Sequence, residues 1–114
     1  MFKFEKLEVW KKSIFLYKKI LEASNSIAQK EQFSLGEQIR RAALSISTNI
    51  AEGTGREGVK EARYFFNIAK GSVYEVVSLL YVMKDRGYLQ TYEYEDFYRD
   101  CDEIARMLSG LLNK

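Results

Sequence analysis

Between residues 5 and 29, Leu7, Trp10, Ile14, Tyr17, Leu21, Ser24 and Ala28 follow alternating spacings of three and four. That spacing draws one stripe along a 3.6-residue helix. Val9, Leu16, Ile20 and Ile27 widen the stripe on one side, and Lys11, Lys12, Lys18 and Lys19 fall opposite, with Phe15 among them. Residues 35–52 carry a second, narrower arc: Leu35, Ile39, Ala42, Ala43, Ile46 and Ile50. Its Ala and Ser content lets a neighbouring helix come close. Ser34 and Glu37 have the S-x-x-E spacing of a capping box, which predicts a helix start there. Gly53 follows the last periodic residue, where a left-handed residue beyond the helix end is expected.

Residues 59–85 predict a third helix on Phe65, Ile68, Ala69, Ser72, Val76, Leu79, Leu80 and Met83. Phe66, Val73 and Val77 extend its apolar arc to nearly half the circumference, more than one bundle seam needs. Either this helix lies deepest, or a second face meets another chain. Gly87 followed by Tyr88 predicts a Schellman ending. Residues 92–112 carry the most regular stripe: Tyr94, Phe97, Cys101, Ile104, Leu108 and Leu111. Thr91 precedes it as an N-cap, and Glu93, Glu95 and Asp96 favour the positive end of its dipole. Four helices on three short links make an all-α, up-down-up-down antiparallel four-helix bundle, one domain over residues 1–114.

The segment Gly53-Thr54-Gly55-Arg56-Glu57-Gly58 spells G-x-G-x-x-G, the dinucleotide fingerprint. That motif works between a parallel strand and a helix. Here it follows a helix, and no strand pattern exists to hold it at a sheet edge. The glycines are therefore read as a turn: Gly53 stops one helix, Gly55 reverses the chain, and Gly58 precedes the next. The polar residues around it, Asn49, Glu52, Arg56 and Glu75, are read with Gly53 and Gly55 as a structural network, with Arg56 bridging a carboxylate.

Composition narrows the chemistry. The chain has no Pro, which suits long helices, since Pro costs about 3 kcal/mol in a helix interior. It has no His, which removes Ser-His and Cys-His pairs, imidazole ligands and His bases. Cys101 is the one cysteine, so no internal disulfide or thiolate cluster forms, and it is read as a core thiol. No apolar run approaches the roughly 20 residues of a membrane span. The opening MFKFEKLEVW is unlike a signal peptide, and the protein is read as cytoplasmic, with no metal, cofactor or membrane partner. Net charge is only +2, but residues 1–70 hold 13 Lys and Arg against 8 Asp and Glu, whereas residues 71–114 hold 5 against 8. The bland reading is solvated helix faces; the sharper one is a basic surface that meets phosphate.

Several separated blocks resemble a known family. They are FEKLEVWKKS (4–13), LGEQIRRAALSISTNIAEGTGR (35–56), Phe65, IAKGSVYE (68–75) and GYL (87–89). In this order they are similar to the four-helix-bundle proteins related to those encoded by intervening sequences in bacterial 23S rRNA genes. The resemblance implies a bundle that assembles as a homopentamer, with no established catalytic activity. It also implies a kinship with bundle proteins that accompany the reverse transcriptase of diversity-generating retroelements and bind that enzyme and nucleic acid.

The expectation that follows is a non-enzymatic, oligomeric bundle that binds RNA or other nucleic acid. Lys11, Lys12, Lys18, Lys19, Arg40 and Arg41 are the candidate phosphate contacts. The alternative is a protein-interaction adaptor or accessory subunit, in which Phe15 or the wide face of the third helix meets the partner.

Overall fold

The structure, a computed structural model, describes residues 1–114. Four helices dominate it: α1 (Glu8–Ala23), α2 (Glu37–Thr54), α3 (Val59–Asp85) and α4 (Thr91–Leu112). No strand is present. The long dimension is 43 Å, close to the ~40 Å that the 27 residues of α3 span at 1.5 Å each. Contacts run in opposite chain directions between neighbours. Across α2 and α3 they link Gln38 to Glu75, Ser45 to Ser72 and Gly53 to Phe66. Across α1 and α4, Lys12 meets Glu103 while Lys19 meets Asp96 and Asp100. The bundle is therefore up-down-up-down, with α1 beside α2 and α4, and α3 diagonal to α1.

One core fills the space between the helices. From α2 come Ile39, Ala43, Ile46 and Ile50, from α3 Val73, Val76, Leu80 and Met83, and from α4 Cys101, Ile104 and Leu108. These follow the stripes read from spacing in α2 and α4, whereas in α3 the buried line moves toward Phe66 and Val73 and leaves Phe65, Ile68 and Leu79 half-buried. In α1 the emphasis shifts. Val9, Ser13, Leu16 and Ile20 face the centre, while Leu7, Trp10, Ile14, Tyr17 and Leu21 are only half-buried along its edges. A corner helix buries the middle of a wide apolar arc, and the arc's edges lie over its two neighbours. Cys101 is fully buried, and loss of hydration pushes its thiol up to about 12. It is a core thiol.

α1 stops at Ala23, short of the expected 29. The run Ser24-Asn25-Ser26 turns its hydroxyls onto the backbone: Ser24 Oγ donates to the Leu21 carbonyl at 2.8 Å, and Ser26 Oγ to the Ala23 carbonyl at 2.8 Å. Such local bonds compete with helix continuation. Ile27 still reaches the core from the 3-10 turns that follow, which is why periodicity alone runs past the true end. Gln32 Nε2 then donates to the Ser24 and Ile27 carbonyls at 2.9 Å each, satisfying acceptors that a helix end leaves free.

The expected capping box at Ser34 and Glu37 does not form. Residues Gln32–Gly36 already wind as a π turn into α2, so no free amide awaits a cap. Ser34 Oγ donates to the Glu31 carbonyl, and Glu37 pairs with Arg41 at 2.7 Å. α4 starts one residue earlier than expected, with Gln90 at the cap position and its N–H given to Glu93 Oε1 at 2.9 Å. The Schellman ending of α3 is present. Gly87 has φ 82°, and the Tyr88 N–H reaches the Met83 carbonyl at 2.8 Å.

Gly53 corrects the sequence reading most instructively. It lies inside α2 and has no positive φ; Gly87 is the one residue that does. Its role is close approach. A Cβ there would sit 2.5 Å from Cε1 of Phe66 and 3.2 Å from the Ala62 carbonyl. Gly55 ends the helix in ordinary right-handed geometry, with its nearest contact to an added Cβ at 3.5 Å.

Gly53→Ala is expected to lower the thermal midpoint by about 5–15 °C, since overpacking a filled site costs about 1–3 kcal/mol. Gly55→Ala should move it by only about 3 °C or less, because nothing must shift there. Equal losses at both positions would show that turn conformation, not the approach to Phe66, explains the glycines.

Candidate nucleic-acid interface

The six candidate cations do not form one patch. Lys12 and Lys19 lean toward α4. Lys12 pairs with Glu103 at 3.0 Å. Lys19 is held by Asp100 at 2.7 Å and Asp96 at 2.9 Å, with its Nζ 5.0 Å from the Phe97 ring centre and 5.8 Å from that of Phe15. Phe15 itself is 64% exposed. Lys11 makes a loose 3.4 Å pair with Glu8 on its own helix, and exposed pairs of this kind leave the cation largely available to solvent. Arg41 points toward the α2–α3 side, where an open cleft of about 500 Å³ also touches Phe33, Gln38 and Glu75.

Lys18 and Arg40 come together. They line the same open cleft, of about 600 Å³, at the junction of α1, the following turns and α2. Arg40 is half-buried and held by neutral partners. Its Nη1 donates to Gln32 Oε1 at 3.0 Å and to Ser24 Oγ at 3.3 Å, and its Nη2 to the Gln32 carbonyl at 3.3 Å. Lys18 is exposed and makes no ion pair within the chain. The partners of Arg40 lie 8 and 16 residues away in sequence, beyond the reach of any short spacing pattern.

The polar set near the glycine turn also divides. Arg56 pairs with Glu52 at 2.8 Å and stacks over Phe65 at 4.7 Å. Asn49 Nδ2 donates to the Ser45 carbonyl and hydroxyl, and Ser72 donates to the same Ser45 Oγ at 2.9 Å, joining α2 to α3. Glu75 lies far from the turn, where Gln38 donates to it at 3.3 Å. Gly53 and Gly55 take the packing and terminating roles described above. The expected single network is thus three separate contacts, because α3 carries Glu75 about 25 Å along its axis from its own start. No three Cys, Asp or Glu side chains converge where a metal could sit.

The sequence reading missed a tyrosine-rich seam between α3 and α4. Tyr74, Tyr81 and Tyr98 are exposed, and Tyr94 stands between Tyr81 and Tyr98 at 6.1 Å from each. Below them Val73, Val77, Cys101 and Ala105 floor a groove of about 360 Å³, with Asp102 on its edge. The seven-residue step from Tyr74 to Tyr81 was a usable signal, since residues seven apart share a helix face. No helix is long and apolar enough to cross a membrane.

A strand-free bundle of four antiparallel helices, with cations on every helix, is the class of protein that fold and surface define. The chain belongs to the 23S rRNA-intervening sequence protein family, whose sequence profile matches residues 5–110. Its fold is similar to that of a protein of unknown function from the S23 ribosomal protein family of Bacteroides thetaiotaomicron VPI-5482. That likeness has a TM-score of 0.85 at 23% identity, covering 93% of this chain and 99% of the other. No curated protein matches the chain.

The α1–α4 latch carries a pH dependence. The Lys19 hydrogen bond and charge hold the Asp96 carboxyl below its ordinary value of 3.8. Burial alone would lower the pKa of Lys19, but its bonds to Asp100 and Asp96 outweigh that and raise it above 10.5. A lowered carboxylate contributes stability that is present above the unfolded pKa and lost as pH falls through the folded one. A raised ammonium loses its contribution only at strongly alkaline pH. Lys19→Met should therefore lower the urea midpoint by a constant amount between about pH 5 and pH 9, and the gap to the parent should narrow below about pH 4. A gap that persists at about pH 2 would assign the loss to packing around Phe97 instead of the ion pairs.

Proposed function

We propose that the protein is a non-enzymatic, oligomeric helical bundle that binds RNA or another nucleic acid by phosphate contacts from α1 and the start of α2. The observation that carries this reading is the pair Lys18 and Arg40, neither bound to a carboxylate, on one cleft, with loosely paired Lys11 and the exposed Arg41, held by Glu37, on the flanking helix faces. Lys12 and Lys19 contribute less, because carboxylates of α4 already neutralise them. Contacts of this kind give affinity without reading sequence. The family likeness suggests five copies in a ring, and repeated copies would multiply a modest field into useful avidity.

Binding to a single-stranded RNA should weaken steeply with salt. The slope of log K against log salt should be about −0.7 for each phosphate neutralised, and Arg41→Ala should reduce affinity more mildly than Arg40→Ala. Salt-insensitive binding, or no binding at low salt, would count against the reading.

The tyrosine seam supports a second reading, an adaptor or accessory subunit of a nucleic-acid enzyme such as a reverse transcriptase. Tyr74 is 65% exposed beside an apolar groove, a feature common at protein contacts. If copies of the chain fill this seam, Tyr98→Glu should dissociate the oligomer in native mass spectrometry. An assembly unaffected by that change would leave the seam to a different protein.

A further inference from the structure

Arg40 is held by neutral side-chain and loop partners, and with Arg63 it is one of two arginines that meet no carboxylate. Arg41, Arg56, Arg86, Arg99 and Arg106 each meet a carboxylate. Arg63 gives a hydrogen bond to the Leu112 carbonyl at the end of α4. Around Arg40 the chain supplies Ser24, Gln32 and the end of α1, whose dipole offsets at most about half a charge. The three bonds from Ser24 and Gln32 fix the guanidinium plane but leave Nε–H and a second Nη2 hydrogen without a protein acceptor. Lys18 stands on the same cleft, with the Asn25 amide beside it.

The space for this guanidinium is itself built in. A Cβ at Gly36 would lie 3.0 Å from Arg40 Nη1 and 2.9 Å from Gln32 Oε1. Gly36 is buried in right-handed helical geometry, so its φ does not demand glycine. What it provides is room for an oriented cation. One carboxylate, Glu22, shares the cleft one turn beyond Lys18 and pairs with neither cation.

We infer that this cleft is a discrete seat for one phosphate group, with Arg40 as the fixed fork and Lys18 as the mobile point charge. The inference rests on the nucleic-acid reading for its biological ligand, and it narrows that reading from diffuse basic faces to one place. Two sources share the chemistry. One is a terminal phosphate monoester of a strand, which carries close to two charges at neutral pH; the other is an internal diester, which carries one.

Fluorescence anisotropy of labelled single-stranded RNA, at fixed low salt, tests the seat on the full chain. The same sequence is used with a 5′-phosphate and with a 5′-hydroxyl, and inorganic phosphate serves as competitor. Lys18→Ala and Gly36→Ala should each weaken binding about ten-fold, the second without any change of charge. Lys60→Ala removes one charge at the far end of the bundle and should cost about two-fold or less. Glu22→Gln should tighten binding. Competition by inorganic phosphate together with a clear preference for the 5′-phosphate places a terminal monoester in the seat. Equal affinity for both RNAs, with the same variant losses, places a backbone diester there.

If RNA binds and Lys18→Ala and Gly36→Ala behave like Lys60→Ala, the seat is wrong and the broader reading stands. If RNA does not bind but inorganic phosphate raises the thermal midpoint of the parent and not of Lys18→Ala, the seat stands and the nucleic-acid reading falls. If neither RNA nor phosphate has any effect, both fall.

Discussion

Where α2 runs beside α3, small residues let two backbones come closer than leucine-lined helices allow, and the rest of the bundle is arranged around that seam. Ala43 and Ala69 are fully buried, Ser45 and Ser72 share a hydrogen bond across the gap, and Gly53 receives the ring of Phe66. Side chains of this size forgo some of the apolar burial that larger ones supply, about 0.8 kcal/mol per methylene. What they gain is a fixed separation and register. Ser45 accepts from both Ser72 and Asn49, so sliding one helix along the other would strand the buried Ser72 hydroxyl. Every buried side-chain nitrogen and oxygen has a partner in this arrangement.

α1 is held differently. It has the less extensive contacts with its neighbours, and two lysines tie it to α4 across ion pairs at the surface. At the far end, Glu31 accepts from Arg86 and from Tyr88, which fastens the α1–α2 connection to the α3–α4 turn. Ser26 adds a bond to the Tyr88 carbonyl at 2.8 Å. Eight of the chain's eighteen Lys and Arg residues thus meet a carboxylate. Among the cations that lack one, a lysine and a neutral-held arginine share one cleft, where a single external anion can meet both.

The surface thus separates into two regions with different chemistry. The α1–α2 side carries fixed and mobile cations and few exposed aromatics in the cleft itself. The α3–α4 side carries tyrosines over an apolar floor, with Asp102 on its edge paired to Arg106. Aromatic side chains with one polar end suit contact with protein, whereas paired cations suit phosphate. One small bundle can present both at once, because adjacent pairs of its helices face opposite ways.

Spacing along the chain determined the number of helices, the core lines of α2 and α4, the ending at Gly87, the burial of Cys101 and the irrelevance of the glycine string to dinucleotides. These depend on local periodicity and on chemistry that residue types alone permit or forbid. Spacing could not locate the end of α1, since Ile27 is buried whether or not it is helical. It misassigned Gly53, because close approach to Phe66 is set by a partner 13 residues on and not by local conformation. It grouped Glu75 with a turn about 25 Å away and treated six cations as equals. Only the folded arrangement decided which of them face carboxylates of α4, and which stand free on a cleft. Charge compensation depends on distance through space, and sequence separation carries no information about it once helices pack side by side.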